Sequence, residues 1–336
     1  MRKIGLIFLC FPFFVISQTT AIVDTNFELA LINLGFDNVV DGFVLTSRID
    51  TIDTLIVSNR NIEDLTGIED FTALSILDCS ANNLNTMNIT ANYFTFLDCS
   101  DNNLQDIDIS NHLALRTFKC NYNEFSQLDV SSNTSLLYFE CYENQLTSLD
   151  ISSNVFLTEL MCNNNYLTSL DVAGIDMYVL VCDNNQLTTI DNLSDNISLK
   201  HLSCSNNNIF SLLLSTHLQL NWISCSNNQL FQLDLSNQGV LNYLFCWGNP
   251  SLNCINVSNV VAANTSWSVW DGQSGNIDAH HYFSANCIMS STDELKELKK
   301  LITVINLNGQ ETQPINNTPL LYRYDDGTVE QKIVIE

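Results

Sequence analysis

Nine cysteines, Cys79, Cys99, Cys120, Cys141, Cys162, Cys182, Cys204, Cys225 and Cys246, recur every 20 to 22 residues, and an asparagine follows each one three positions later. Thiols so placed have two chemistries open to them, disulfide formation and metal ligation. The spacing argues against both. A zinc site draws its cysteines from closely spaced pairs, and an odd number of thiols pointing the same way from parallel neighbours lacks the angles a disulfide needs. Five histidines occur, at 112, 201, 217, 280 and 281. The His280-His281 pair offers metal-binding nitrogens, but among so many aromatic residues it reads first as the polar edge of a capping loop. Asp108, Asp129, Asp150 and Asp171 repeat every 21 residues, and like charges stacked at coil spacing repel. Either calcium bridges them or, more simply, each carboxylate caps backbone N–H groups in its own turn. Asp37, Asn38, Asp41 and Gly42 miss the spacing of a calcium loop and read as turn residues. Asp78 and Asp98 bring paired carboxylates to neighbouring repeats, a set suited to acid–base work, yet among 37 acidic residues that coincidence is cheap. No Gly-x-Ser-x-Gly elbow, phosphate loop or His-Glu-x-x-His motif is present, so the chain reads as non-enzymatic, with neither metal nor cofactor.

The elements that carry the ladder follow from its frame, Leu-x-x-Leu-x-Cys-x-x-Asn-x-Leu, as in Leu157, Leu160, Cys162, Asn165 and Leu167. A short fixed period means stacked coils. A free thiol serves as a small apolar side chain between two inward leucines. The amides of Asn82, Asn102, Asn123, Asn144, Asn165, Asn185, Asn207, Asn228 and Asn249 each bring donor and acceptor, so they can bond neighbouring coils inside a dry core. Ile52, Leu55, Val57, Ile62 and Leu65 keep the frame once more, with Val57 in the cysteine slot and Arg60 in the asparagine slot. Each second half reads Leu-Asp-[Ile/Val/Leu]-Ser-x-Asn, an alternation that suits extended or tight-turn chain.

This frame resembles the leucine-rich repeat, with cysteine where that family usually carries leucine. The resemblance implies a short strand around the second leucine of each coil, in a parallel sheet on a concave face. The expected fold is thus a β-dominated solenoid of about ten coils with few convex helices. It has a small helical amino-terminal cap, a disulfide-bonded carboxy-terminal cap and a short β tail. The boundaries are residues 1–17 for a signal peptide, 18–51 for the cap, 52–253 for the repeats, 254–289 for the second cap, 290–300 for a linker and 301–336 for the tail.

Met1-Arg2-Lys3, the apolar run Ile4 to Ile16 and Ser17 make up the signal peptide, too short to span a membrane stably. An exported chain keeps disulfides, and Cys254 and Cys287, outside the ladder, are expected to pair. Trp267, Trp270, His280, His281, Tyr282 and Phe283, between them, would plug the open end. Thr25 to Gly35 reads as a helix ending in glycine; together with Leu65-Thr66-Gly67-Ile68-Glu69-Asp70-Phe71 it resembles the start of internalin-like repeat proteins secreted by Bacteroidetes. Leu301 to Glu311 and Leu320 to Ile335 read as strands around turns, and resemble the latter part of the carboxy-terminal sorting domain of type IX secretion. That resemblance implies export through the type IX machinery, leaving the chain secreted or attached to the outer-membrane surface.

Net charge is −25, which makes nucleic acid a poor partner. Function must then come from the side chains flanking the inward leucine and cysteine, which project from the concave face. Aromatic residues gather there in two places, Tyr138 with Tyr142, and Trp222 with Tyr243, Phe245 and Trp247, the last two of which read equally well as packing under the carboxy-terminal cap. Such residues anchor interfaces and stack on sugars, pointing to a binding or adhesion module for extracellular protein or glycan. A structural surface scaffold without a soluble ligand is the alternative.

Overall fold

The computed structural model describes residues 18–287, 301–305, 319–324 and 329–333. The expected signal peptide and linker lie outside these residues. The chain forms two compact units that divide between 285 and 286.

The first unit opens with β1 (Thr19–Ala21), α1 (Thr25–Asn33) and β2 (Phe43–Leu45), with β1 and β2 antiparallel. Asp24 caps α1, one carboxylate oxygen accepting from the N–H groups of Asn26 and Phe27. Its other oxygen accepts from Glu63 and Asp64, which ties the cap to the first coil. The loop from Asp37 to Gly42 is organised by a buried residue the sequence did not single out. Glu28 is 2% exposed, and its Oε1 accepts from the N–H groups of Asp41, Gly42 and Phe43. Gly67 lies so close beneath β1 that a Cβ there would come within 2.6 Å of the Ala21 carbonyl oxygen.

One three-residue strand follows per coil: β3 (Thr54–Ile56), β4 (Ile76–Asp78), β5 (Phe96–Asp98), β6 (Thr117–Lys119), β7 (Tyr138–Glu140), β8 (Glu159–Met161), β9 (Val179–Val181), β10 (His201–Ser203) and β11 (Trp222–Ser224). After β12 (Leu233–Leu235) on the opposite side, β13 (Tyr243–Phe245) completes a parallel ten-stranded sheet. Register is strict, so like positions stack: Leu160 pairs with Leu180, then Leu202, then Ile223. The nine ladder cysteines are free thiols with no exposed surface. Burial pushes their pKa values up, that of Cys162 to about 12.

The asparagine ladder makes the bonds its chemistry promised. Asn165 Nδ2 donates to the carbonyls of Cys141 (3.0 Å) and Cys162 (3.1 Å), while its Oδ1 accepts from Leu146 N–H at 2.9 Å. The same set recurs at Asn102, Asn123, Asn144, Asn185, Asn207, Asn228 and Asn249. Asn82 does likewise, its Oδ1 receiving both Arg60 and Ile62 N–H. A second polar column, on the far side of the core, went unassigned in the sequence. It comprises Asn92, His112, Asn133, Asn154, Asn196, His217 and Gln238, all buried, most of which bond carbonyls one coil back.

The convex side is turn and extended chain, as the second-half motif suggests. Asp108, Asp129, Asp150 and Asp171 each accept from the backbone N–H two residues on. Hydrogen bonds from Ser110, Ser131 and Ser152 hold the first three carboxyls below their ordinary range. At the carboxy-terminal end this side gains a small parallel sheet of β12, β14 (Cys254–Val257) and β15 (Tyr282–Ser284), with α2 (Val260–Ser266) between the last two. Ile255-Asn256-Val257 pairs in register with Leu233-Asp234-Leu235, so the second-half strand runs one coil beyond the last ladder cysteine. Cys254 and Cys287 are disulfide-bonded. In the second unit β16 (Leu301–Ile305), β17 (Pro319–Tyr324) and β18 (Val329–Ile333) form an antiparallel sheet. No helix among the described residues is long and apolar enough to cross a membrane.

Candidate functional site

The sheet orients every flanking side chain because its strands alternate inward and outward. Tyr138, Glu140, Trp222, Tyr243 and Phe245 all point away from the core, each beside a buried Phe139, Ile223 or Leu244. The carboxy-terminal aromatics meet across strands. Trp222 stacks on His201 (centroids 5.2 Å, rings 8° apart) and on its other side leans on Tyr243 (4.8 Å, 35°). Phe245 approaches Trp222 at 5.4 Å. His201 is a member the aromatic count missed, although it occupies the same column. Burial lowers its pKa, against the pull of Asp183.

Trp247 does not join this group. Its ring stacks on Trp270 of the cap at 4.6 Å and 10°, and the strand edge beside it is closed by Asn276. The Asn276 carbonyl accepts from Cys246 N–H, and its Nδ2 donates to Leu244 O. A capped edge cannot template further strands.

The second cluster is arranged differently from its spelling in the sequence. Tyr142 contacts Tyr122, centroids 5.4 Å apart at 80°, a partner the column positions did not include because Tyr122 lies one residue past them. Tyr138 is exposed on the same face of β7 as Glu140, whose Oε1 meets Lys119 Nζ at 2.9 Å.

The two carboxylates of the Asp78 and Asp98 pair are each engaged within their own coil. Asp78 and Asp98 each direct Oδ1 to the N–H and hydroxyl of their own Ser80 or Ser100, the hydroxyls at 2.6 Å. Burial pushes the Asp98 carboxyl up. Asp278, His280 and His281 bring ligand atoms within 4.8 Å of one another, but two of the three are already engaged. His281 Nδ1 accepts from Asp278 N–H, its Nε2 faces the Asn249 carbonyl, and Asp278 Oδ2 accepts from Gly248 and Asn249 N–H. These bonds fasten the cap to the last coil.

No family model matches the sequence, and no curated protein matches it. Solved structures do match its fold. The functional domain of InlJ from Listeria monocytogenes, which includes a cysteine ladder, is 23% identical over 85% of this chain and 75% of that one, with a TM-score of 0.50. The leucine-rich repeat protein LIC12759 of Leptospira interrogans is 20% identical over 62% of this chain and 63% of its own, also at 0.50. A chain of the LRIM1/APL1C complex reaches 0.55 at 19% identity, over 64% of this chain and 45% of that one. The protein is a leucine-rich-repeat solenoid of internalin-like fold.

Proposed function

We propose that the chain is a non-catalytic recognition module, acting outside the cell or on its surface, that grips a protein partner along the concave sheet. The carrying observation is the row His201, Trp222, Tyr243 and Phe245 on a rigid, capped sheet. Large aromatics fixed by their neighbours lose little entropy on binding and serve as anchors. The row also favours protein over glycan. Neighbouring rings cover both sides of the Trp222 indole, so it presents an edge, whereas a sugar stacks on a free face. The LRIM1/APL1C structure is itself a complex formed with this fold. Export rests on the signal-like amino terminus and on the tail, whose three antiparallel strands agree with the sorting-domain resemblance; mass spectrometry of the native carboxy terminus tests whether it is removed.

The test is a protein and glycan array probed with the full chain and with Trp222→Ala and Tyr138→Ala. Capture of a protein ligand is expected to fall about tenfold or more for Trp222→Ala while the melting temperature holds. Unchanged capture by both variants would move the site off the concave face.

A scaffold role is the second reading, and one feature supports it. Tyr93, Leu113, Val155, Ile197 and Leu218, each just after the second polar column, are 48–69% exposed on one flank, with Thr134 and Asp176 holding the same place in two of the coils between them. Apolar side chains gathered on one flank invite self-association. Sedimentation of the purified chain as a concentration-dependent oligomer, with no array hit, would favour it.

A further inference from the structure

Each coil leaves its strand through the residue two places after the core cysteine, and ten of these in succession, Asn59 to Gly248, have positive φ. Seven are asparagine, aspartate or glycine, the residues that tolerate the left-handed region. Ala81 (φ 53°), Tyr122 (φ 52°) and Glu143 (φ 54°) depart from that pattern, the two bulky ones in adjacent coils. Backbone strain held by bulky side chains concentrates at sites with a task. Three further observations fall on the same two coils. The rings of Tyr122 and Tyr142 meet edge to face at 5.4 Å and 80°, with Tyr122 51% exposed. Asn121 is 6% exposed, and its shielded Oδ1 receives no hydrogen bond. The backbone sets Glu143 beside Tyr122, since Asn123 N–H donates to the Glu143 carbonyl at 3.3 Å, while the nearby cation, Lys119, is already paired with Glu140.

We propose that Tyr122, Tyr142, Asn121 and Glu143 form a pocket for an arginine side chain of the partner protein. A guanidinium is planar, lies on a tyrosine face and carries five N–H donors. One such group covers the rings, supplies the donor that Asn121 lacks and meets the Glu143 carboxylate; the exposed Tyr122 ring turns to admit it. The chain already holds one cation against a tyrosine face, Lys200 Nζ lying 5.0 Å from the Tyr178 centroid. A net charge of −25 draws basic segments toward it. This pocket rests on the concave-surface reading and specifies the chemistry of the partner.

The test titrates the full chain with N-acetyl-arginine methylamide and with its citrulline and lysine counterparts, followed by NMR of tyrosine ring resonances. The arginine compound is expected to shift Tyr122 and Tyr142 and to bind about tenfold more tightly than the citrulline one. Tyr122→Asn should weaken it about tenfold and, by relieving strain, raise the melting temperature by about 2 °C or more. A structural tyrosine would do the reverse, so a lowered melting temperature overturns the proposal. So does equal binding of arginine and citrulline, tighter binding of lysine, or unchanged binding by Tyr122→Asn. Trp222→Ala should leave the titration unchanged; loss there instead places the cation at the other cluster. If Tyr122→Asn leaves protein capture intact while Trp222→Ala abolishes it, the pocket is wrong and the recognition surface stands.

Discussion

Replacing Asn165 by alanine should destabilise the solenoid by about 3–5 kcal/mol, a figure that follows from counting the groups it leaves unpaired. The side chain is 5% exposed, donates to the Cys141 and Cys162 carbonyls and accepts from Leu146 N–H. An orphaned buried N–H costs about 1–3 kcal/mol, and carbonyls, having two lone pairs, cost about 1 kcal/mol each. The comparison that makes the reasoning falsifiable is Asn154→Ala in the second column. Asn154 is as deeply buried and donates to two carbonyls, those of Val130 and Asn133, but its Oδ1 receives nothing. With no N–H left orphaned, its loss should cost only about 1–2 kcal/mol. Urea denaturation followed by circular dichroism reads the difference as a larger fall in midpoint for Asn165→Ala at constant slope. Equal losses for the two variants would refute the claim that the ladder stabilises by satisfying backbone donors, and would leave packing volume as the cause.

Three further outcomes are expected. The nine ladder thiols should resist maleimide in the native state and label together on unfolding, because burial disfavours the reactive thiolate; labelling of one thiol at native conditions would indicate an open coil. Reduction of the Cys254–Cys287 bond should lower stability by about 3–4 kcal/mol on the chain-entropy model, measured as a drop in melting temperature that a Cys254→Ser, Cys287→Ser double variant reproduces without reductant. Acidification should also destabilise the fold. Burial lowers the pKa of His112, His201 and His281, so below about pH 6.5 the unfolded chain binds protons that the folded chain does not, and stability falls as pH falls through that window. Asp98 and Asp183, whose carboxyls burial pushes up, act oppositely at lower pH, losing stability as pH rises through their titration. A melting temperature that rises between pH 7.5 and pH 5.5 would contradict the histidine argument.

Much of the fold was legible because a solenoid repeats its local rule. Cys162 and Asn165 meet the same neighbours as Cys182 and Asn185, so one coil's chemistry stands for all, and the periodic spacing alone implied stacking. The second polar column was harder to see because its residue type varies. His112, His217 and Gln238 replace asparagine while keeping the place, and identity rather than spacing had been the signal. The recognition surface was legible only as columns. Those columns left open whether Trp247 joins Trp222 or packs under the cap, and the cap's Trp270 takes its ring; they omitted Tyr122, which reaches Tyr142 from the next column.

The sequence by itself determined the coil, its inward leucine, thiol and amide, and the pairing of Cys254 with Cys287, since each depends on contacts that recur at a fixed separation or on composition alone. Tertiary structure decided which aromatic rings face one another, which carboxylates are already engaged by Ser80, Ser100 or Gly248, and where the left-handed turn holds Tyr122. Those outcomes depend on side-chain direction between coils and on a cap of no repeating pattern, and neither is written in spacing along the chain.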